Sequence, residues 1–254
     1  GLGLISTRLS VEDPIQKDKS SFIVSGRRTY ADLFLKTTEE FNDRTLYFYD
    51  INVKANIWLN DKNRIFASGY FGKDILGFGD NFGIDWGNST GTLRWNSLIS
   101  PKLFSNTSII YSNYNYNIKL NAGGSNIHIN SQIQDYNLKQ EFQYFPNSKN
   151  KIHFGFNAIH HTITPSRFEG DNTTSEEKQS RYALENAAFI NNTTELSSRF
   201  NIDYGLRFSF YSILGGDTYN KYDHGILTDS VVLASNKFGK TYYNLEPRLQ
   251  FSYL

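Results

Sequence analysis

The sequence predicts an all-β fold, an antiparallel transmembrane β-barrel segment of about 11 long strands with short periplasmic turns and long extracellular loops. Three observations lead there. The first is the stretch Tyr47 to Leu59. Tyr47, Tyr49, Ile51, Val53, Ala55, Ile57 and Leu59 fall on one face of a strand, and Asp50, Asn52, Lys54 and Asn56 on the other. At roughly 3.3 Å per residue the stretch reaches about 40 Å. Ordinary strands have about 5–6 residues, and a tilted membrane strand needs about 9–11. A soluble sandwich strand also alternates, turning its apolar face to a core, but it does not need this length.

The second observation is composition. Hydrophobic residues make up 39% of the 254 residues, and aromatic residues 16%, with 17 Tyr and 20 Phe. Globular domains usually carry about 45–50% apolar residues. A barrel wall needs only a thin apolar skin, aromatic girdles and a polar inside. The third is the connections, which alternate short and long. A sandwich has no reason to keep its long loops at one end, whereas a membrane barrel does.

Composition also excludes. A net charge of +1 gives no bulk field for nucleic acid. With no Cys there are neither disulfides nor thiolate metal sites. No run approaches the roughly 20 apolar residues of a membrane helix, and no signal peptide is recognisable. The chain opens Gly1-Leu2-Gly3-Leu4 and contains no Met, so it reads as a processed or partial piece.

Taken in order, Leu2 to Val11 alternates loosely, and Glu12-Asp13-Pro14 is expected to break it because Pro cannot donate to a ladder. Gln16 to Lys19 is a short turn, and Ser21 to Arg28 a strand. Tyr30 to Asp43 is a longer connection in which Ala31 to Lys36 suits a short helix. After the Tyr47–Leu59 strand, Asn60-Asp61-Lys62-Asn63 is a hairpin turn and Arg64 to Phe71 the answering strand. Lys73 to Gly83 reads as a Gly- and aromatic-rich loop. Strands follow at Ile84–Leu98, Phe104–Leu120, Ile127–Phe145, Ile152–Thr164, Arg181–Ile190, Phe200–Tyr211 and Tyr242–Leu254. Between them, Ser100–Lys102, Pro146–Asn150 and Asn191–Ser197 are short. Asn121–Ser125 with Gly123-Gly124, Pro165–Ser180 and Leu214–Lys240 are loops. An odd number of strands, ending without a partner, does not close alone and implies part of a larger barrel.

Particular blocks add to periodicity. Gly3 to Ile15 reads Gly-Leu-Ile-Ser-Thr-Arg-Leu-Ser-Val-Glu-Asp-Pro-Ile, and Ser25 to Leu35 reads Ser-Gly-Arg-Arg-Thr-Tyr-Ala-Asp-Leu-Phe-Leu. Asp85-Trp86-Gly87-Asn88, Thr92 to Asn96, Tyr204 to Arg207 and Glu246 to Leu249 are further such blocks. Together they resemble the first half of the barrel of a TonB-dependent outer-membrane receptor, of the subgroup with carboxypeptidase-regulatory-like and plug domains. The resemblance implies a 22-stranded-type barrel with a plugged lumen in the bacterial outer membrane. It also implies uptake of a scarce nutrient driven by the TonB complex through an N-terminal region that, like the plug and the second half of the barrel, is not in this chain. Siderophores, cobalamin, glycans and peptides are all compatible ligands, and a surface lipoprotein partner is compatible too. The alternative is a passive outer-membrane pore or structural barrel without energy coupling.

Candidate site residues follow from the faces. Arg8, Arg27, Asp50, Lys54, Arg94, Asp135, Lys139, Glu141, Asp203, Arg207, Glu246 and Arg248 are expected on the lumen side. There they either contact a plug or an acidic ligand, or make a charge-balanced hydrated wall. Phe78, Phe82, Tyr219 and Tyr222 lie in expected extracellular loops, where they stack on a ligand or pack the rim. Tyr47, Tyr49, Trp95 and Tyr144 suit the membrane interface. His160 and His161 are adjacent on a strand and point apart, so with His128 and His153 they make no clear metal site. Asp74, Asp80 and Asp85 miss calcium-loop spacing, and Gly77, Gly79 and Gly83 miss the dinucleotide fingerprint. Glu39-Glu40 and Glu176-Glu177 are only sequence neighbours, and no catalytic triad is recognisable, so neither an enzyme nor a cofactor is expected.

Overall fold

A computed structural model describes residues 1–122, 125–170, 180–235 and 237–253. The period-two pattern becomes strands β1 (Ser6–Gln16), β2 (Ser20–Thr29), β3 (Arg44–Asn60), β4 (Asn63–Phe78), β5 (Phe82–Ser100) and β6 (Leu103–Ala122). These continue as β7 (Ser125–Asn147), β8 (Asn150–Gly170), β9 (Arg181–Ser197), β10 (Phe200–Leu214), β11 (Asp217–Asp223), β12 (Ile226–Leu233) and β13 (Phe238–Tyr253). Eleven of them form one antiparallel meander in the order β1-β2-β3-β4-β5-β6-β7-β8-β9-β10-β13. Among the described residues β1 and β13 pair with one neighbour each, so the sheet is an open wall. A short helix, α1 (Ala31–Leu35), and a 3-10 turn at Glu39–Phe41 fill the β2–β3 connection.

Local chemistry explains the tight ends. Asn60 Oδ1 accepts the Lys62 amide at 3.0 Å, and Asn147 Oδ1 accepts those of Lys149 and Asn150 at 3.0 Å. A side chain that bonds its own backbone two residues on stands in for a turn. At the other end the strands run further than the sequence pattern indicates. The expected loop Lys73–Gly83 is mostly β4 and β5, joined by a tight turn at 79–81 in which Gly79 has φ +54°. The expected loop Pro165–Ser180 begins as β8, and residues 171–179 lie outside those described, as do Gly123-Gly124, Glu176-Glu177 and Leu254. The expected loop Leu214–Lys240 holds a separate hairpin, β11–β12. Pro14 does not end β1 but pairs with Ser21, with a register shift just after it. β1 is an edge strand, and an edge tolerates a residue that cannot donate on its unpaired side.

Register defines two faces. The outer face carries Leu9, Val24, Ile51, Phe71, Leu93, Ile109, Leu138, Phe156, Ile190, Leu206 and Leu245. These residues are uncovered, from 38% exposed at Val24 to 68% at Leu9. The only buried hydrophobic residues among those described are Ala183 and Ala187. A soluble sandwich hides such a stripe between its layers, and here nothing among the described residues covers it. Among the described residues no helix is long and apolar enough to cross a membrane; the strands make the crossing.

The outer apolar band has a top. On β6 the outer face runs Ile109, Tyr111, then Asn113, Asn115, Asn117, while the inner face runs Ser108, Ile110, Ser112, then Tyr114, Tyr116, Ile118. On β7 the outer face passes from Leu138 and Tyr136 to Gln134, Gln132 and Asn130, and the inner face from Lys139 and Asn137 to Ile133 and Ile129. The two strands reverse together, since Asn113 faces Gln134 and Asn115 faces Gln132. Leu103 to Tyr111 supplies the roughly 9–11 residues that a crossing consumes. Beyond that length the outside is water, and the outer face becomes polar.

Candidate functional site

On the inner face the pairing gathers the charged residues picked from the sequence. Arg8 lies opposite Arg27, which lies opposite Asp50. Lys54, Arg94, Asp135, Lys139, Glu141, Asp203, Arg207, Glu246 and Arg248 share that face through the successive registers. Most charges there are matched. Arg27 places Nε and Nη2 each 2.7 Å from Asp50 Oδ2 and stacks 4.7 Å over Phe48, and Asn52 Nδ2 donates to Asp50 Oδ1 at 3.3 Å. Lys139 meets Glu141 at 2.9 Å, with His153 3.5 Å from the same carboxylate. Glu246 serves Arg207 at 3.8 Å, Arg248 at 3.4 Å and the Ser209 hydroxyl at 3.2 Å. Thr193 donates to Asp203. Lys54 and Arg94 make no ion pair among the described residues; they line a shallow hollow with Phe66 and Glu12. A second hollow gathers Lys139, His153, Arg207 and Arg248 around Asn137, Asn157 and Phe189.

Sequence reasoning missed one inner cluster. His161 sets Nδ1 2.8 Å from Asp135 Oδ1 and Nε2 3.7 Å from Glu185 Oε2, tying β7, β8 and β9 together. The signal was present, because His160 and His161 point apart, but their partners lie on other strands. It also missed an ion pair on the outer face, where Lys73 meets Asp85 at 2.8 Å and Asn117 Nδ2 donates to the same oxygen at 3.1 Å. Lys73 lies in what reads from sequence as a loop, and Asp85 at the start of the expected strand Ile84–Leu98. Asp74 faces inward and Asp85 outward, so with Asp80 in the turn the three do not converge.

The aromatic candidates separate into two groups. Phe78 and Phe82 face each other across the β4–β5 turn with ring centroids 5.8 Å apart, and Arg44 lies 5.6 Å over Phe78. Tyr219 and Tyr222 lie on β11, where the Tyr219 hydroxyl donates to the Leu214 carbonyl at 2.6 Å and Tyr222 is exposed. The hairpin is pinned by Lys221 and Asp229 at 2.8 Å, and that bond holds the Asp229 carboxyl below its ordinary 3.8. The interfacial aromatics share the outer face. Tyr47 and Tyr49 stack at 6.4 Å near its top, with Arg28 5.0 Å over Tyr47, and Trp95 Nε1 donates to Asn63 Oδ1 at 3.0 Å near its bottom. The rows of Trp95 and Tyr47 are about 33 Å apart along β3, or about 25 Å once strand tilt is allowed for, which is the height of an outer-membrane apolar band.

A wall with bare apolar residues outside, paired charges inside and aromatic rings at both borders defines a transmembrane β-barrel segment. Known structures agree. The copper transporter OprC superposes with TM-score 0.68 at 10% identity, covering 98% of this chain and 43% of that one. BauA, the ferric preacinetobactin receptor from Acinetobacter baumannii, gives 0.66 at 9%, covering 95% and 42%. The alcaligin outer-membrane receptor FauA from Bordetella pertussis gives 0.68 at 11%, covering 98% and 38%. The likeness shows the fold, which is that of part of the barrel of these transport proteins and receptors. This chain spans less than half the length of each. No protein-family model and no curated protein matches the sequence.

Proposed function

We propose that residues 1–254 are one partial-barrel domain of a TonB-dependent outer-membrane uptake receptor. The observation that carries this is the eleven-strand wall whose outer face stays bare over one membrane thickness while its inner face is charged and paired. Further strands complete the barrel, a plug domain fills it, and TonB supplies energy through a segment preceding the plug. The inner charges then face the plug, and Phe78, Phe82, Tyr219 and Tyr222 contact ligand at the extracellular mouth. The nutrient belongs to the siderophore, cobalamin, glycan or peptide class.

The test uses the full-length protein in its own outer membrane. A strain that needs it for growth on one limiting nutrient is compared with the same strain lacking TonB. Loss of uptake in both the receptor and the TonB deletions supports the reading. Uptake that survives TonB deletion, together with steady ion conductance of the purified protein in planar bilayers, replaces it with a passive pore.

A further inference from the structure

Just above the reversal, the outer face of the wall is uniform in a way that water alone does not demand. Asn113, Asn115 and Asn117 on β6, Gln134, Gln132 and Asn130 on β7, and Thr162 and Thr164 on β8 form one plate there. Six of the eight are amides and none is charged. Charges flank the plate instead. Lys73 and Asp85, on β4 and β5, pair at 2.8 Å. Arg167 lies opposite Asn130 in the ladder, and Lys119 and His128 face each other one row above Asn117.

Amides are poor strand formers, and a surface built to meet water carries about 25–35% Lys, Arg, Asp and Glu. These amides are also held in place. Gln132 Nε2 donates to Asn113 Oδ1 at 2.7 Å, Gln134 Nε2 to the Tyr111 hydroxyl at 2.9 Å, and Asn117 Nδ2 to Asp85 Oδ1 at 3.1 Å. Among the described residues the Asn115 amide, in the middle of the plate, has no hydrogen-bond partner. An amide offers a carbonyl acceptor and two N–H donors without charge. A sugar hydroxyl likewise donates and accepts. A phosphate only accepts and is taken by Arg and Lys, and Lys73 beside the plate is already paired with Asp85.

The plate continues the lipid-facing band directly upward. Tyr111 and Tyr136, with ring centroids 5.3 Å apart, end the apolar band on the same two strands, and the first amides stand one row above them. From Asn113 to Asn117 is about 13 Å along β6, or about 10 Å of height at a barrel tilt of roughly 35–45°. The headgroup layer of a phospholipid bilayer is only about 5–7 Å deep on each side. The plate outreaches that layer and fits a headgroup of more than one sugar ring.

We infer that the outer face of β6 to β8 above the hydrocarbon edge binds the uncharged sugar headgroup of a glycolipid in the surrounding leaflet. Asn115 and Gln132 bond its hydroxyls, and the exposed Tyr136 ring lies beneath them at the hydrocarbon edge. The contact fastens the barrel to its lipid and takes no part in uptake, so it stands apart from the reading above.

The test places the photoreactive residue p-benzoylphenylalanine at Ser89, opposite Asn113, in the full-length protein in vesicles. The vesicles hold equal amounts of phosphatidylcholine, anionic phosphatidylglycerol and uncharged digalactosyldiacylglycerol. Mass spectrometry of the adducts reads which lipid stands at the plate. The galactolipid is expected about fivefold above its share. Asn115→Ala combined with Gln132→Ala should return it to its share. The same probe at Thr45, at the loop end of β3 and away from the plate, should capture the lipids in proportion. Soluble digalactosylglycerol at the same total concentration should not displace the lipid, because only the lipid is concentrated in the membrane plane. Heat-modifiable migration on a detergent gel confirms that each variant holds a folded barrel. Adducts in simple proportion at Ser89, a preference for phosphatidylglycerol, an excess that survives the double variant, or full displacement by the soluble sugar overturns the inference. None of these readouts needs TonB, so they fail separately from the uptake reading.

Discussion

The turn-end and loop-end halves of the wall are made of the same strands and obey opposite rules. In the turn-end half, outer positions such as Ile109 and Leu138 are apolar, and inner ones such as Ser108 and Lys139 polar. In the loop-end half, Asn115 and Gln132 point out and Tyr116 and Ile129 point in. The backbone does not change between them; the medium outside does. A side-chain pattern therefore reports its surroundings, and the row where it reverses marks the upper edge of the hydrocarbon.

The largest effect that can break this comparison is an outward charge at mid-band. Leu138→Lys is expected to destabilise the full-length barrel in lipid vesicles by about 2–4 kcal/mol in urea unfolding. Asn115→Lys, above the reversal, should change it by less than about 0.5 kcal/mol. Equal costs would erase the distinction between the halves. Next comes the inner ion pair. Asp50 is nearly buried and Arg27 half exposed. A double-mutant cycle with Arg27→Ala and Asp50→Ala should therefore show a coupling of about 1 kcal/mol, well under that of a fully buried pair.

A sharper but smaller signal comes from labelling. A cysteine at Asn115 in vesicles should react with a membrane-impermeant maleimide, and one at Ile109 should not, which places the edge between two rows of β6. The smallest effect belongs to the β11–β12 hairpin. Asp229 titrates below its ordinary value because Lys221 bonds its charged form. Its contribution is thus complete above pH 3.8 and lost as pH falls through the lowered value. Hydrogen exchange in the hairpin should speed up only in that acidic range. In Lys221→Gln the Asp229 titration, followed by NMR, should move back toward 3.8.

Much of the turn-end half was legible in the sequence. The run from Tyr47 to Leu59 keeps one phase throughout, so its faces, its length and the inward set from Arg8 to Arg248 follow from counting by two. The loop-end half was not. Gly77, Gly79 and Gly83 look like loop residues, yet two of them pair across a hairpin and only Gly79 occupies a turn. Ile127 to Ile133 alternates in the opposite sense to Tyr136 to Tyr144, and a reader who expects apolar residues outside takes the change for disorder in the pattern. The β11–β12 hairpin was hidden for a similar reason, since its short strands carry too few residues to set a period.

Residue order alone thus establishes that the chain is a lipid-facing antiparallel wall, because a strand's two faces are written into every second residue. It cannot say which side chains meet. Arg27 finds Asp50, His161 finds Asp135 and Glu185, and Tyr114 joins Ile133 and Ile163 only once registers are set between strands up to tens of residues apart. Register is a relation between segments, fixed by turns and ladder hydrogen bonds, and a one-residue slip would send each of these groups to the other face.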